Sequence, residues 1–194
     1  MSPSHLDQFG RIMAGVLRHF PDKFDLEMDK QGWVEATEFI EAVKIQRRHF
    51  HFLETKHLQA VVETDPKGRY QLNNGRLRAT YAHTVEIELD LPTDNIPELL
   101  YYPVSRDELD IHLEGGIHPG SRKWVHLSKT ITNAANAGAV HHFHPAIIEI
   151  DIIQMQASGN TIFHAGTTVY LTEVVDAEFC SHVPYDNTEY ALML

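Results

Sequence analysis

Three short stretches of the 194-residue chain bring arginine and histidine together in ways that suit phosphate chemistry. In Leu17-Arg18-His19-Phe20-Pro21 the pair stands at the end of a helical pattern. Arginine's planar fork donates two parallel hydrogen bonds to a phosphate and keeps its charge. A histidine beside it can hold or relay a proton near neutral pH. The same pair would equally complement the dipole at a helix C-terminus. Gly75-Arg76-Leu77-Arg78-Ala79 sets two arginines on one strand face with His83 just beyond, an anion grip or an ordinary exposed hairpin. Arg122-Lys123-Trp124-Val125-His126-Leu127-Ser128 holds two of the four basic residues after position 90. There His126 and Ser128 either hold a nucleotide ribose or line a wet edge strand. His141-His142-Phe143-His144 has no carboxylate or cysteine at metal-ligand spacing, so a surface loop and no metal site are expected. Cys180, the single cysteine, has no activating neighbour and reads as buried filler. Phosphate-binding loops of the Walker type, GxGxxG turns and GxSxG elbows are absent from the sequence.

The elements that must position these residues follow from periodicity. Phe9, Ile12, Met13, Val16, Leu17 and Phe20 recur at helical spacing, and Pro21 stops the helix. Lys23 to Val34 reads as short extended structure with a Gly32-Trp33 turn. Glu35 to Lys44 and a segment around Leu58, Val61 and Val62 read as two more helices. Asn74-Gly75 between apolar residues predicts a hairpin. Three small helices and a terminal hairpin make a winged-helix arrangement. Val85, Ile87 and Leu89 alternate with acidic residues as in a half-exposed strand, and the prolines at 92 and 97 mark a domain boundary. Beyond it, Ser105-x-x-Glu108 predicts a capping box opening a helix that ends at Gly115-Gly116. Strands are expected over Trp124–Leu127, Ala146–Ile153 and Thr161–Thr172, with a helix over 130–137 between the first two.

Composition bounds the function. Apolar residues make up 43% and charged residues 22%, an ordinary globular balance. The apolar runs are far shorter than the ~20 residues a membrane span needs, and MSPSHLDQFGRIM lacks the form of a signal peptide. One cysteine excludes an internal disulfide framework. The expectation is a cytoplasmic monomer with no membrane partner. Net charge is −11, of which residues 1–90 carry −2 (12 basic, 14 acidic) and residues 91–194 carry −9 (4 basic, 13 acidic). A nucleic acid would therefore have to meet a local basic cluster in the first half.

Taken in order, the motifs resemble the RNA 2′-phosphotransferase family, NAD-dependent enzymes of tRNA splicing with archaeal and bacterial relatives. The resemblance rests on Leu17-Arg18-His19, Gly32-Trp33-Val34, Lys67-Gly68-Arg69, Arg76-Leu77-Arg78-Ala79, Arg122 with Val125-His126-Leu127-Ser128, Ile150-Asp151 with Met155 and Gly159, and Val169-Tyr170-Leu171-Thr172. It covers roughly residues 6–180. Two stretches depart from the pattern. The family's xQGHS is Thr80-Tyr81-Ala82-His83-Thr84, and its YHGT falls at Tyr101-Tyr102-Pro103-Val104-Ser105. Proline removes a donor where glycine would allow close approach, so NAD would be held differently here, or more weakly.

The resemblance implies an α+β fold: a winged-helix, RNA-binding lobe over residues 1–91 and an ADP-ribosyltransferase-like, NAD-binding lobe of mixed β structure over residues 92–194. It implies that an RNA 2′-phosphate attacks the nicotinamide-bearing ribose carbon of NAD and that the ribose 2″-hydroxyl then attacks the phosphorus. The products are nicotinamide, RNA with a free 2′-hydroxyl and ADP-ribose 1″,2″-cyclic phosphate. Residue by residue, Arg18, His19, Arg78 and Arg122 match the catalytic positions. His126, Ser128, Tyr102 and Ser105 fall where NAD is contacted, and Arg76 and His83 fall nearer the RNA. No metal is called for. Two alternatives stay open: ADP-ribosyl transfer to another nucleic-acid phosphate or to protein, and a winged-helix DNA-binding regulator. The second expects a basic recognition helix, whereas residues 35–44 carry three glutamates and one lysine.

Overall fold

Phe9, Met13, Val16 and Leu17 are fully buried, and they set one face of α1 (Pro3–His19) on a core shared with two further helices. The computed structural model describes residues 3–142 and 144–187, so Met1, Ser2, Phe143 of the histidine run and residues 188–194 lie outside the description. The chain is mixed α+β and divides into two units between Leu91 and Pro92.

In the first unit α1 is followed by α2 (Ala36–Gln46) and α3 (Thr55–Thr64), which add Phe39, Ile40, Val43, Leu58 and Val61 to the core. A three-stranded antiparallel sheet completes it, built from β1 (Val34–Glu35), β2 (Tyr70–Asn73) and β3 (Arg76–Ala79) in the order β1-β3-β2. The β2–β3 turn is the expected hairpin. Asn74 (φ 48°) and Gly75 (φ 77°) both take positive φ, which matches the right-handed twist of the flanking strands. The Tyr70 hydroxyl donates to the Gly10 carbonyl at 2.7 Å and ties the hairpin to α1.

Two expectations for this unit fail for the same reason. Residues 23–33 join no ladder: Pro21–Phe24 is a 3-10 turn, and only Val34–Glu35 joins a sheet. Residues 85–89 form no strand, although Ile87 is buried and Glu86 and Glu88 are exposed as the alternation requires. The backbone donors here go elsewhere. Val85 N–H reaches the Arg18 carbonyl at 3.3 Å, and Glu88 N–H reaches the Lys30 carbonyl at 2.7 Å. Alternation reports which side is buried; it does not supply a ladder partner.

The second unit is a six-stranded antiparallel sheet flanked by short helices. Its elements are β4 (Leu99–Val104), α4 (Leu109–Gly115), β5 (Val125–Ser128), α5 (Ile131–Gly138), β6 (Ala146–Asp151), α6 (Ile152–Ala157), β7 (Phe163–His164), β8 (Val169–Thr172) and β9 (Cys180–His182). The strand order is β7-β8-β5-β4-β6-β9. The strand expected to reach Ile153 stops at Asp151, whose carboxylate accepts the Gln154 N–H at 2.9 Å and caps α6. The expected 161–172 strand is broken by a turn in which Ala165 and Gly166 donate to the Val169 carbonyl. The capping box does not form. The Ser105 hydroxyl donates to the Glu108 carboxylate at 2.7 Å, and a 3-10 turn (Arg106–Glu108) precedes α4. Cys180 is half-buried on β9 rather than fully buried, and desolvation, with Asp176 nearby, pushes its thiol up to about 11. A thiol held neutral is a poor nucleophile.

Candidate functional site

Arg18 and His19 form the last turn of α1, where helix carbonyls lack intrahelical donors. The Arg18 carbonyl accepts from Thr84 N–H (2.9 Å) and Val85 N–H (3.3 Å), which fastens the following segment to the helix end. The guanidinium lies 4.8 Å over the Tyr81 ring. Its Nε and Nη2 are buried without a hydrogen-bond partner. Desolvation lowers the Arg18 pKa, while Tyr70 and Tyr81 oppose that shift. An arginine stays charged at neutral pH, and buried N–H donors without acceptors are costly. The arrangement calls for an anion. His19 is exposed, with Nδ1 3.0 Å from the Thr84 hydroxyl.

Arg76 and Arg78 do share one face of β3, and both guanidinium groups lie over Trp33, at 5.9 and 4.3 Å from the ring. Their surroundings differ sharply. Arg76 is engaged by acids: Asp29 at 2.6 Å and Glu35 at 3.5 Å. Asp29 also accepts the N–H groups of Gln31 and Trp33, at 3.0 and 2.9 Å, so Arg76 helps to build the turn that presents Trp33. Desolvation, the largest influence, pushes the Asp29 carboxyl up. The Trp33 N–H, Arg76 and the Gln31 N–H together bring it below its ordinary value. Arg78 is only 6% exposed; Nε donates to Gln71 (2.8 Å), while Nη1 donates to the Gln31 carbonyl (3.2 Å) and to Asp90. Its Nη2 has no protein acceptor among the described residues. His83 packs near Gly32, where a Cβ would lie 3.6 Å from the ring Nε2.

In the second unit β4 and β5 meet through a single residue pair, Tyr101 opposite Ser128, whereas β4 pairs with β6 along its whole length. Tyr102 to Val104 and the facing part of β5 therefore run on without a ladder between them. Pro103 sits past the junction, where its missing N–H is not owed to β5. Burial raises the pKa of the Tyr102 phenol; the charge of Arg122 pulls it down and Glu108 pushes it up, so both charges act on that hydroxyl. Arg122 is exposed, and its guanidinium has no acid or carbonyl partner among the described residues. His126 is oriented by Nδ1 at 3.0 Å from the Trp124 carbonyl. Ser128 lies two residues along the same strand and is 7% exposed. The Ser105 hydroxyl is taken by Glu108.

The histidine run contributes the His144 carbonyl as an acceptor for Arg106 Nε, at 3.1 Å. Among the described residues no three histidine, cysteine or acidic side chains gather as metal ligands.

A family model for "RNA 2′-phosphotransferase, Tpt1 / KptA family" matches residues 4–174. The chain belongs to this RNA 2′-phosphotransferase family. A relative from Methanosarcina barkeri, carrying the name "Probable RNA 2′-phosphotransferase", is 36% identical over 89% of this chain and 82% of its own. Relatives of the same name from Thermoplasma acidophilum (34% identical, 92% of this chain and 76% of theirs) and Haloarcula marismortui (32%, 90% and 82%) match along nearly the same length. As a family member the chain is a transferase.

Motif reading singled out the arginines and histidines of the candidate site but missed what holds them. Trp33 underlies both β3 arginines, Tyr81 underlies Arg18, Thr84 orients His19 and Asp90 grips Arg78. Trp33 and Tyr81 were visible as part of two motifs, but nothing local assigned them a cation. Asp90 lies 12 residues from Arg78 at the end of the alternating 85–90 stretch, where it read only as a solvated acid.

Proposed function

We infer that the protein removes an internal 2′-phosphate from RNA with NAD as co-substrate, the first unit seating the phosphate and the second holding NAD. The observation that carries this is the Arg18 guanidinium, whose buried Nε and Nη2 lack acceptors. A 2′-phosphate supplies the acceptors and two negative charges at a point. Arg78, fixed by Trp33, Gln71 and Asp90, offers its remaining Nη2 to the same kind of group. These two arginines orient the phosphate, which is catalysis by positioning. His19, placed beside Arg18 with Nδ1 3.0 Å from the Thr84 hydroxyl, would assist proton transfer or contact the phosphate. Arg122 neutralises charge that develops on phosphorus in the second step.

NAD, when bound, supplies an electrophilic ribose carbon with nicotinamide as the leaving group. The second unit fits such a molecule. The strands beyond Tyr101–Ser128 have backbone groups off the ladder, the Ser128 hydroxyl and His126 ring stand on one strand, and Arg122 is uncommitted. Three helices with a terminal hairpin support a winged-helix reading of residues 1–91. The antiparallel sheet with a gap between two central strands supports an ADP-ribosyltransferase-like reading of residues 92–194. No described helix is long and apolar enough to cross a membrane.

The test is to mix the protein with NAD and a short RNA bearing one internal 2′-phosphate and to weigh the products. ADP-ribose cyclic phosphate with dephosphorylated RNA is the expected result. A stable ADP-ribosylated product without the cyclic phosphate would replace this reading by ADP-ribosyl transfer. Unconsumed NAD would overturn both.

A further inference from the structure

Of the twelve lysines and arginines in residues 1–90, seven are ion-paired: Arg11, Lys30, Lys44, Lys56, Arg69, Arg76 and Arg78. Five have no acidic partner among the described residues: Arg18, Lys23, Arg47, Arg48 and Lys67. The structure does not scatter these five. Lys23 sits on the 3-10 turn that directly follows Arg18 and His19. The Gln46 side chain donates to the Lys23 carbonyl, and the Arg47 guanidinium lies 6.0 Å from the ring of Phe24 on the same turn. Arg48 is exposed and opens the next 3-10 turn, Arg48–Phe50. Lys23, Arg47 and Arg48 thus gather at the end of α2, on and against the turn that follows the α1 end bearing Arg18.

Beside this cluster is a partly exposed aromatic ring. Phe20 is 37% exposed, although its place in the apolar pattern would bury it. The ring folds back on α1 at Gly15, where a Cβ would lie 2.8 Å from the ring carbon Cζ. His19 lies beside it (centroids 6.3 Å apart) and the Lys23 ammonium stands 5.4 Å from its centroid. A partly exposed ring beside unpaired cations is a combination that suits single-stranded nucleic acid. A base stacks on the ring and backbone phosphates meet the cations.

We propose that Phe20, Lys23, Arg47 and Arg48 bind the single-stranded RNA flanking the 2′-phosphate, with a neighbouring base stacked on Phe20. This rests on the reading of Arg18 as the 2′-phosphate seat. In a chain of net charge −11 the body of an RNA is repelled at long range, so a local stretch of unneutralised cations decides where it can lie. The neighbouring shallow cavity, lined by Asp25, Glu27, Glu38 and Glu41, has the opposite sign and borders the cluster. An unpaired strand is specified because a duplex offers no free base face to Phe20.

The test is the affinity of fluorescent ten-nucleotide RNAs, with and without an internal 2′-phosphate, measured by anisotropy across a salt series, beside product analysis with NAD. Replacing Lys23, Arg47 and Arg48 together by alanine should weaken binding of the phosphorylated RNA at least tenfold at low salt. It should also flatten the slope of log affinity against log salt by about 2, three contacts at roughly 0.7 each for a single strand. Phe20→Leu, which keeps the apolar cover over Gly15, should weaken binding roughly tenfold, and Phe20→Trp should restore it. Lys67→Ala, an unpaired cation outside the cluster, should bind as the unsubstituted protein does. Unchanged affinity and slope in the triple variant overturn the proposal, as does equal or tighter binding of the same RNA annealed into a duplex. If the cluster binds RNA but NAD is not consumed, the proposed reaction falls and the RNA surface stands.

Discussion

Asp90 holds the Nη1 edge of Arg78, and that ion pair decides which part of the guanidinium is left without a protein acceptor. Trp33 covers one face and Gln71 takes Nε, so Nη2 is the remaining donor. Arg78→Lys keeps a charge but loses the fork and the stack, and should lower kcat/KM by about a hundredfold. Asp90→Asn keeps an acceptor at the same place and should cost about tenfold or less, mostly in KM, because it loosens the arginine without removing it. Steady-state kinetics on a 2′-phosphorylated RNA separate the two. An Asp90→Asn enzyme whose kcat collapses while KM holds would show that Asp90 acts on the reaction itself.

Arg122 has no acid partner among the described residues, unlike Arg76 and Arg78, and acts electrostatically on the Tyr102 hydroxyl. A cation kept for charge developing on phosphorus should matter most in the second step. Arg122→Ala should therefore slow formation of the cyclic phosphate by a hundredfold or more while nicotinamide release falls less. Quenched time courses that follow both products check this. Equal slowing of the two would place Arg122 in the first step.

Ala82 lies in the left-handed region at φ 65°, one residue before His83 and two before Thr84. An L-residue there is strained by about 1–2 kcal/mol. Glycine relieves that strain but adds roughly 0.4–1 kcal/mol of freedom to the unfolded chain. Ala82→Gly should stabilise the protein by about 0.5–1 kcal/mol, a rise in melting temperature of a few degrees. Calorimetry of the two proteins decides it, and a lowered melting temperature would contradict the argument.

Asp29 ties the Trp33 turn to Arg76, and its folded-state pKa lies below its unfolded value. Its contribution to stability is therefore complete at neutral pH and is lost as pH falls below about 4, where the unfolded carboxyl takes up its proton. Urea midpoints should drop on the acid side of pH 4. Asp29→Asn should be less stable at pH 7 and should lose less on acidification. A variant that tracks the unsubstituted protein over the whole range would remove Asp29 from the account.

Features whose physics is local were legible in the chain alone. Asn74-Gly75 made a hairpin because two consecutive residues there can take positive φ. Phe9, Met13, Val16 and Leu17 made a buried helical face because 3.6-residue periodicity needs no distant partner. The arginines and histidines of the candidate site could be singled out because few side chains suit phosphate chemistry, while their roles rested on the resemblance of the ordered motifs to the family. Where the deciding partner is far along the chain, local reading failed. Val85, Ile87 and Leu89 alternate correctly, yet their segment pairs with the Arg18 and Lys30 carbonyls and never joins a sheet. Arg76 and Arg78 look equivalent in the sequence, but Asp29 and Glu35 engage the first while Asp90 and Trp33 aim the second. Phe20 fits the buried stripe by spacing and is exposed because Pro21 turns the chain and folds the ring back on Gly15. Charge and burial are properties of a neighbourhood, and only the tertiary structure assembles the neighbourhood.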